Sequence, residues 1–377
     1  MPLKRSESDR PQGSRGPAET IGGFTYEALP ARVLFGSGAF GRLGEEVARM
    51  GLERALILTT QRQGEEAERI AASLGERAAG AFAGATMHTP VDVTERAMEV
   101  VRRRGVDGLV ALGGGSAIGL AKAIALRTDL PQIAVPTTFA GSEMTPIIGE
   151  TQDGEKTTQR TLMVLPEVVI YDVDLTMTLP VAVAGPSGFN AIAHAVEALY
   201  ARDANPVVSM MAEAGIAKLA SALPGIARDP LARAARTDAL YGAFLCGVCL
   251  GSVGMALHHK LCHTLGGTFD LPHAETHAAV LPHALAFTAP AVAAAMQAMA
   301  RALGCEDPAR ALYDLAGAVG APRALRDLGM PEAGIDRAAD LALANPYWNP
   351  RPLERAAIRD LIARAWQGLE PVTAGSP

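Results

Sequence analysis

The segment GLVALGGGSAIGLAK, Gly108 to Lys122, decides the fold. GLVAL is an apolar run without alternation, the pattern of a strand buried on both faces of a parallel sheet. Gly113-Gly114-Gly115-Ser116 then breaks the strand, and AIGLAKAIAL continues with helical character. Strand, glycine turn and helix N-terminus together form an anion site. Glycines let backbone N–H groups approach a phosphate, and the helix dipole favours its charge. The motif is neither GxGxxG nor a Walker A sequence. A simple tight turn is the competing reading.

The next apolar run, Ile133–Pro136, enters Thr137-Thr138-Phe139-Ala140-Gly141-Ser142-Glu143. A second polar loop at a strand's carboxyl end strengthens the nucleotide reading, because ligands of open α/β sheets bind there. Ordinary loop capping is the alternative for Thr137 and Thr138. Upstream, ALILT (Ala55–Thr59) ends in Thr59-Thr60-Gln61-Arg62. These polar residues are neutral, with Arg62 nearby, so both NADH and NADPH are permitted. ARVLF (31–35) and VVIYD (168–172) complete the strand candidates, and 40–50, 65–74 and 94–104 read as helices. This alternation predicts an α/β dinucleotide-binding domain over residues 23–179. An antiparallel excursion is expected near Thr151–Thr158, turning at Asp153-Gly154.

After Leu179-Pro180 the chain is rich in Ala and Leu. Helical spacing recurs at 191–201, 208–222, 234–254 and 293–303. An all-α substrate and catalytic domain is expected over 180–377, without a solenoid repeat. Residues 1–22 are polar, rich in Pro, Gly and Ser, and read as a disordered extension lacking a secretory apolar core.

The 377 residues are 49% hydrophobic, as in a folded globule, and carry a net charge of -6. That charge argues against a general nucleic-acid binder. No membrane span is expected, and four cysteines do not make a disulfide framework, so the expected location is cytoplasmic. Cys246 and Cys249 read as buried packing residues.

Eight histidines are present, and seven fall between His194 and His283. Asn190 and His194 share a helix face at i,i+4 spacing, as do His259 and His263, and His273 follows Pro272. Imidazole clusters often bind a divalent metal. The natural place for a carboxylate ligand is residue 190, which is an amide. The expectation is therefore a metal-free cluster that binds carboxylates or acts as a general acid. His88 is expected outside the pocket.

VLFGSG, GGGSAIGLAK, PTTFAGSEMT, PEVVIYD, the Asn190/His194 helix and HHKLCHTLGG…LPH, taken in order, resemble the iron-containing alcohol dehydrogenase superfamily. The resemblance covers nearly the whole chain after the N-terminal extension. It implies the dehydroquinate synthase-like fold of that superfamily, with the active site in a cleft between the two domains. It also implies a nicotinamide cofactor and a homodimer. By matching motifs, the implied cofactor contacts are Gly36, Thr60, Gly114, Gly115, Ser116, Thr137, Thr138, Ser142, Lys156 and Thr178. The implied catalytic residues are His263, near the nicotinamide, with His194, His259 and His273. Asn190, His258, His277 and Phe139 are the implied substrate contacts.

Two departures stand out. Metal-dependent members have Asp at the position of Asn190, where it holds the metal with three histidines matching His194, His259 and His273. They also have Asp at the position of Gly119. The resemblance thus implies a branch that needs no metal and reduces the carbon–carbon double bond of an unsaturated oxo-dicarboxylate. The alternatives are a metal-dependent alcohol or polyol dehydrogenase and a non-catalytic nucleotide-binding protein.

Overall fold

The computed structural model describes residues 23–152 and 155–372. The expected N-terminal extension and the Asp153-Gly154 turn lie outside these residues.

Six strands form one parallel sheet: β1 (Arg32–Phe35), β2 (Ala55–Leu58), β3 (Ala78–Phe82), β4 (Gly108–Gly113), β5 (Gln132–Pro136) and β8 (Val168–Tyr171). Their order is β1-β8-β5-β4-β2-β3. Between β5 and β8, an antiparallel pair, β6 (Ile147–Gln152) and β7 (Glu155–Arg160), projects as the expected excursion.

Period-2 side-chain direction sorts each strand between two layers. Val110, Leu112, Ile57 and Ile170 pack with α1 (Leu43–Arg49) and α2 (Gly64–Leu74). Leu109, Ala111, Leu56 and Val169 face α3 (Val91–Arg104) and α4 (Gly115–Thr128) on the other side. Burial on both faces explains why the central strands read as continuous apolar runs. Strand β3 (AAGAF) was not anticipated. It is an edge strand of Ala, Gly and Phe, with no β-branched residue to announce it.

The remaining elements are helical: α5 (Val181–Ala198), α6 (Pro206–Arg228), α7 (Arg233–Ser252), α8 (Leu257–Phe269), α9 (His273–Thr288), α10 (Ala293–Leu303), α11 (Pro308–Ala318), α12 (Ile335–Ala344) and α13 (Arg355–Gln367). Helix α5 begins ten residues earlier than its apolar spacing indicated and runs through Pro186. Every residue from Ala184 to Ala198 is buried, so tertiary packing outweighs the proline's cost. Helix α6 is long and apolar enough to cross a membrane by length and composition. Its Lys218–Asp238 and Glu213–Arg301 ion pairs instead tie it to α7 and α10.

One apolar cluster runs from the α3–α4 face of the sheet into α5, α6 and α7. A second joins α8, α9, α12 and α13. Cys246 and Cys249 are buried free thiols in α7, as packing residues should be.

Candidate active site

The carboxyl ends of the strands face the helical domain across a cavity of about 580 Å³. Gly115, Ser116, Thr138 and Ser142 line it from the sheet side; Asn190, His194, His259, His263 and His273 line it from the helical side. The two motif groups that are far apart in sequence therefore meet at one site. Thr137 binds the Gly113 carbonyl through its backbone N–H at 3.0 Å, joining the two polar loops, and does not line the cavity.

The other implied cofactor positions lie around this edge. Gly114 is the N-cap of α4, and Gly36 follows β1 with its N–H on the Tyr171 carbonyl at 3.0 Å. The Asp172 carboxylate accepts from the N–H groups of Gly38 and Phe40 at 3.1 and 2.9 Å, which fixes the loop after β1. Thr60 follows β2, while Thr178 is exposed ahead of α5. The side chain of Lys156 lies outside the described residues.

The histidines are ordered by a residue the motif reading passed over. Glu197 lies on α5, fully buried, seven residues after Asn190 and three after His194. Its carboxylate accepts from the N–H groups of Ala256 and His258 at 2.8 and 2.7 Å, securing the start of α8. It also meets His259 Nδ1 at 2.7 Å. That contact fixes the ring and turns Nε2 the other way. His259 Nε2, His194 Nδ1 and Asn190 Oδ1 are buried without a hydrogen-bond partner. Such atoms are costly unless a ligand engages them.

Burial pushes the His194 imidazole well below its ordinary pKa, and the His259 and His263 rings act in the same direction. His194 is therefore neutral near pH 7. His263 Nδ1 lies 3.0 Å from the Tyr347 hydroxyl, which comes from the segment after α12. Burial, then the Glu197 charge, raises the Tyr347 pKa.

Three expectations need correction. His258 and His277 are fully buried off the cavity, with His258 Nε2 and His277 Nδ1 2.9 Å apart. Burial drives both well below the ordinary histidine pKa, so they brace the site as a neutral pair. Phe139 is fully buried rather than in the pocket, packed in the apolar cluster that also holds Phe189 and Ile192 of α5. His88, expected elsewhere, lines the cavity. It and Thr89 have φ of 64° and 47°, and a Cβ on Gly119 would lie 2.4 Å from Thr89 Oγ1. Gly119 thus lets this loop rest on α4 and carry His88 to the cleft.

Lys122 was also overlooked. It is 2% exposed, and its Nζ donates toward Ser142 O, Thr145 O, Thr145 Oγ1 and Ile147 O at 2.6, 2.7, 2.9 and 2.9 Å. Burial pulls its pKa down to about 7, with the Glu143 charge opposing. Its principal work is to hold the loop from Ser142 to Ile147 against α4.

Among the described residues, the donor atoms of His258, Cys262 and His277 lie within 4.8 Å of one another, a grouping that could hold a metal ion. At the cavity itself, His194 Nδ1 and His259 Nε2 are unpartnered nitrogens, with Glu197 behind His259. The residue beside them, Asn190, offers a neutral amide and no charge. The donor set therefore fits a divalent ion incompletely.

The family described as iron-containing alcohol dehydrogenase matches residues 30–173, and its C-terminal part matches residues 185–366. The chain is 55% identical over 348 residues to maleylacetate reductase of Rhizobium sp. (strain MTP-10005), covering 92% of this chain and 99% of that protein. The crystal structure of maleylacetate reductase from that strain aligns with a TM-score of 0.89 at 55% identity, covering 93% of this chain and 99% of that one. The corresponding enzyme structure from Agrobacterium tumefaciens aligns with a TM-score of 0.89 at 54% identity, covering 93% and 100%.

Proposed function

The chain belongs to the iron-containing alcohol dehydrogenase family, and on that premise we propose that it reduces the carbon–carbon double bond of maleylacetate, giving 3-oxoadipate. It is an oxidoreductase with a nicotinamide cofactor; NADH and NADPH both belong to the proposal. One observation carries the reading: a single cavity joins the glycine loop at Gly115 and Ser116 to Asn190 and the histidines. The cofactor's phosphates fit that loop, because Gly115 and Ser116 open onto the cavity at the N-terminus of α4, a 14-residue helix.

A bound nicotinamide supplies a hydride to the alkene carbon β to the substrate ketone. The alkene electrons then shift to the ketone oxygen, forming a delocalised enolate. The Asn190 amide and the His194 ring, whose Nδ1 is unpartnered, can donate N–H groups to that oxygen, while His259 is held through Nδ1 by Glu197. The enolate needs less electrophilic help than the localised alkoxide formed from a plain ketone, which is where a Lewis acid contributes most. Protonation at the α carbon completes the reduction. The His263–Tyr347 pair is assigned to that step, with the Tyr347 hydroxyl orienting the imidazole at 3.0 Å.

No catalytic metal is required in this proposal. What supports it is the amide of Asn190, which removes the anionic ligand and spares a dianionic substrate a fixed negative charge. The unpartnered His194 Nδ1 and His259 Nε2 favour the metal-dependent alternative, an alcohol or polyol dehydrogenase. We further propose a cytoplasmic homodimer, with mass in solution as the check on assembly.

The deciding experiment follows nicotinamide oxidation by the full chain with maleylacetate, before and after chelation, with metal content measured on the same samples. Turnover by metal-free protein, without alcohol oxidation, is expected. Activity lost on chelation and restored by iron or zinc would overturn the metal-free mechanism. No turnover of maleylacetate in either state would overturn the assignment.

A further inference from the structure

A substrate with two carboxylates needs cationic partners, and the buried histidines do not supply them all. His194 is held neutral, and the neutral His258–His277 pair lies off the cavity. Lys122 lines the cavity, but its four oxygen neighbours already exceed the three N–H bonds of an ammonium. Among the described cavity-lining residues, the remaining Lys or Arg is Arg160, on β7.

Arg160 reaches from the β6–β7 pair to the helical domain, where its Nη2 donates to the Gly251 carbonyl near the end of α7. That bond fixes the guanidinium across the cleft and uses one of five N–H donors. The neighbouring wall includes Leu250, Val253 and Met255, while Arg160 itself is solvent-exposed at the rim, so a carboxylate held there stays partly screened by water. A guanidinium presents the planar pair of donors that matches a carboxylate. Glu275, also on the cavity wall, would repel an anion and so favours placing the carboxylate elsewhere.

We propose that Arg160 anchors one carboxylate of the substrate and thereby selects dicarboxylates over monocarboxylates. This rests on the oxo-dicarboxylate reading above and adds the residue that recognises the second charge. Arg160 does no chemistry at the alkene. The residue accordingly governs substrate affinity more than the catalytic rate.

The test compares wild type, Arg160→Met and Arg160→Lys as full chains. With maleylacetate, Arg160→Met should raise KM about 10-fold, the lower end of the range for losing a charged hydrogen-bonded partner, because Arg160 is solvent-exposed. Its kcat should change much less, its KM for the nicotinamide should hold, and Arg160→Lys should recover part of the loss. Binding of adipate and hexanoate to the nicotinamide-loaded protein, read by thermal shift, supplies an arm independent of turnover. Wild type should favour adipate, and Arg160→Met should lose that preference.

A rise in nicotinamide KM with maleylacetate KM unchanged would overturn the proposal, assigning Arg160 to the cofactor. An adipate preference that survives in Arg160→Met would overturn it too. If wild type fails to reduce maleylacetate yet binds adipate through Arg160, the anchor stands and the substrate assignment falls.

Discussion

Glu197 shows how one buried carboxylate can organise a site without lining it. Its two oxygens serve two backbone N–H groups and the His259 ring, all within 2.7–2.8 Å. Glu197→Gln keeps the shape but removes the charge and one acceptor oxygen. The amide nitrogen then faces either the His258 N–H, or the Ala256 N–H and the imidazole together. A charge-assisted hydrogen bond in a buried setting contributes about 1.5–3 kcal/mol, so the variant should lose stability on that scale. The released His259 ring should also lower kcat by about 100-fold, the effect of roughly 1 Å of misplacement. Urea unfolding and steady-state kinetics on the same preparation check both effects; a variant with wild-type stability and kcat would show that Glu197 does not position the ring. At this scale the sequence was only partly legible. The i,i+4 pairs disclosed Asn190, His194, His259 and His263, because helical spacing alone brings such residues to one face. Residues 190, 194 and 197 continue that face, and the same rule applied once more finds Glu197. Tyr347 had no comparable local signal: it meets His263 from 84 positions away.

The sheet and the helical domain touch through elements as well as through single side chains. The segment after β5 crosses α7 at Gly141 and Gly247, where a Cβ on Gly247 would lie 2.5 Å from the Gly141 carbonyl oxygen and 3.0 Å from its Cα. Gly141 itself has φ of 85°, so it cannot readily yield by taking on a side chain. The contact matters to the site because the same segment carries Ser142 and the carbonyl groups that hold Lys122. Gly247→Ala should push that loop from α7 and cost about 1–3 kcal/mol, the range for overpacking. It should also raise the nicotinamide KM, whereas Gly304→Ala, away from the cleft, should leave that KM unchanged. Thermal unfolding and cofactor titration measure the two effects, and an unaltered KM in Gly247→Ala would mean that the loop tolerates displacement. The strands and most helices were legible because their apolar periods are local. This crossing was not, because PTTFAGSEMT and the glycines of α7 carry no sequence sign that they pack together.

The whole molecule holds four buried histidines, His194, His258, His277 and His283, in an unprotonated state, and this should set its acid stability. Burial lowers the pKa of His194, His258 and His277 well below 6.5, and that of His283 to about 4. In the unfolded chain these groups bind protons near pH 6.5; in the folded chain they stay neutral until lower pH. The unfolded state therefore binds more protons as pH falls through 6.5, and folding stability must decline. The stabilisation is fully present above that pH and is lost toward the folded values, with each histidine contributing up to about 1.4 kcal/mol per pH unit. Two carboxyl groups, Glu143 in the core and the partly desolvated Glu167, act oppositely. Burial raises the pKa of Glu143 and Glu167, so protonation favours the folded state once the pH drops below their folded values. With four histidines against two carboxyl groups, the net expectation is a fall in unfolding free energy between about pH 6.5 and 4.5. Most carboxylates remain ionised over the upper part of that range, which separates the histidine effect from general acid denaturation. His283→Phe offers a local control because His283 lies off the 580 Å³ cavity. Urea unfolding across this range should show a shallower decline below pH 6 in His283→Phe than in wild type. Identical slopes would mean that His283 already titrates in the folded protein as it does in the unfolded chain.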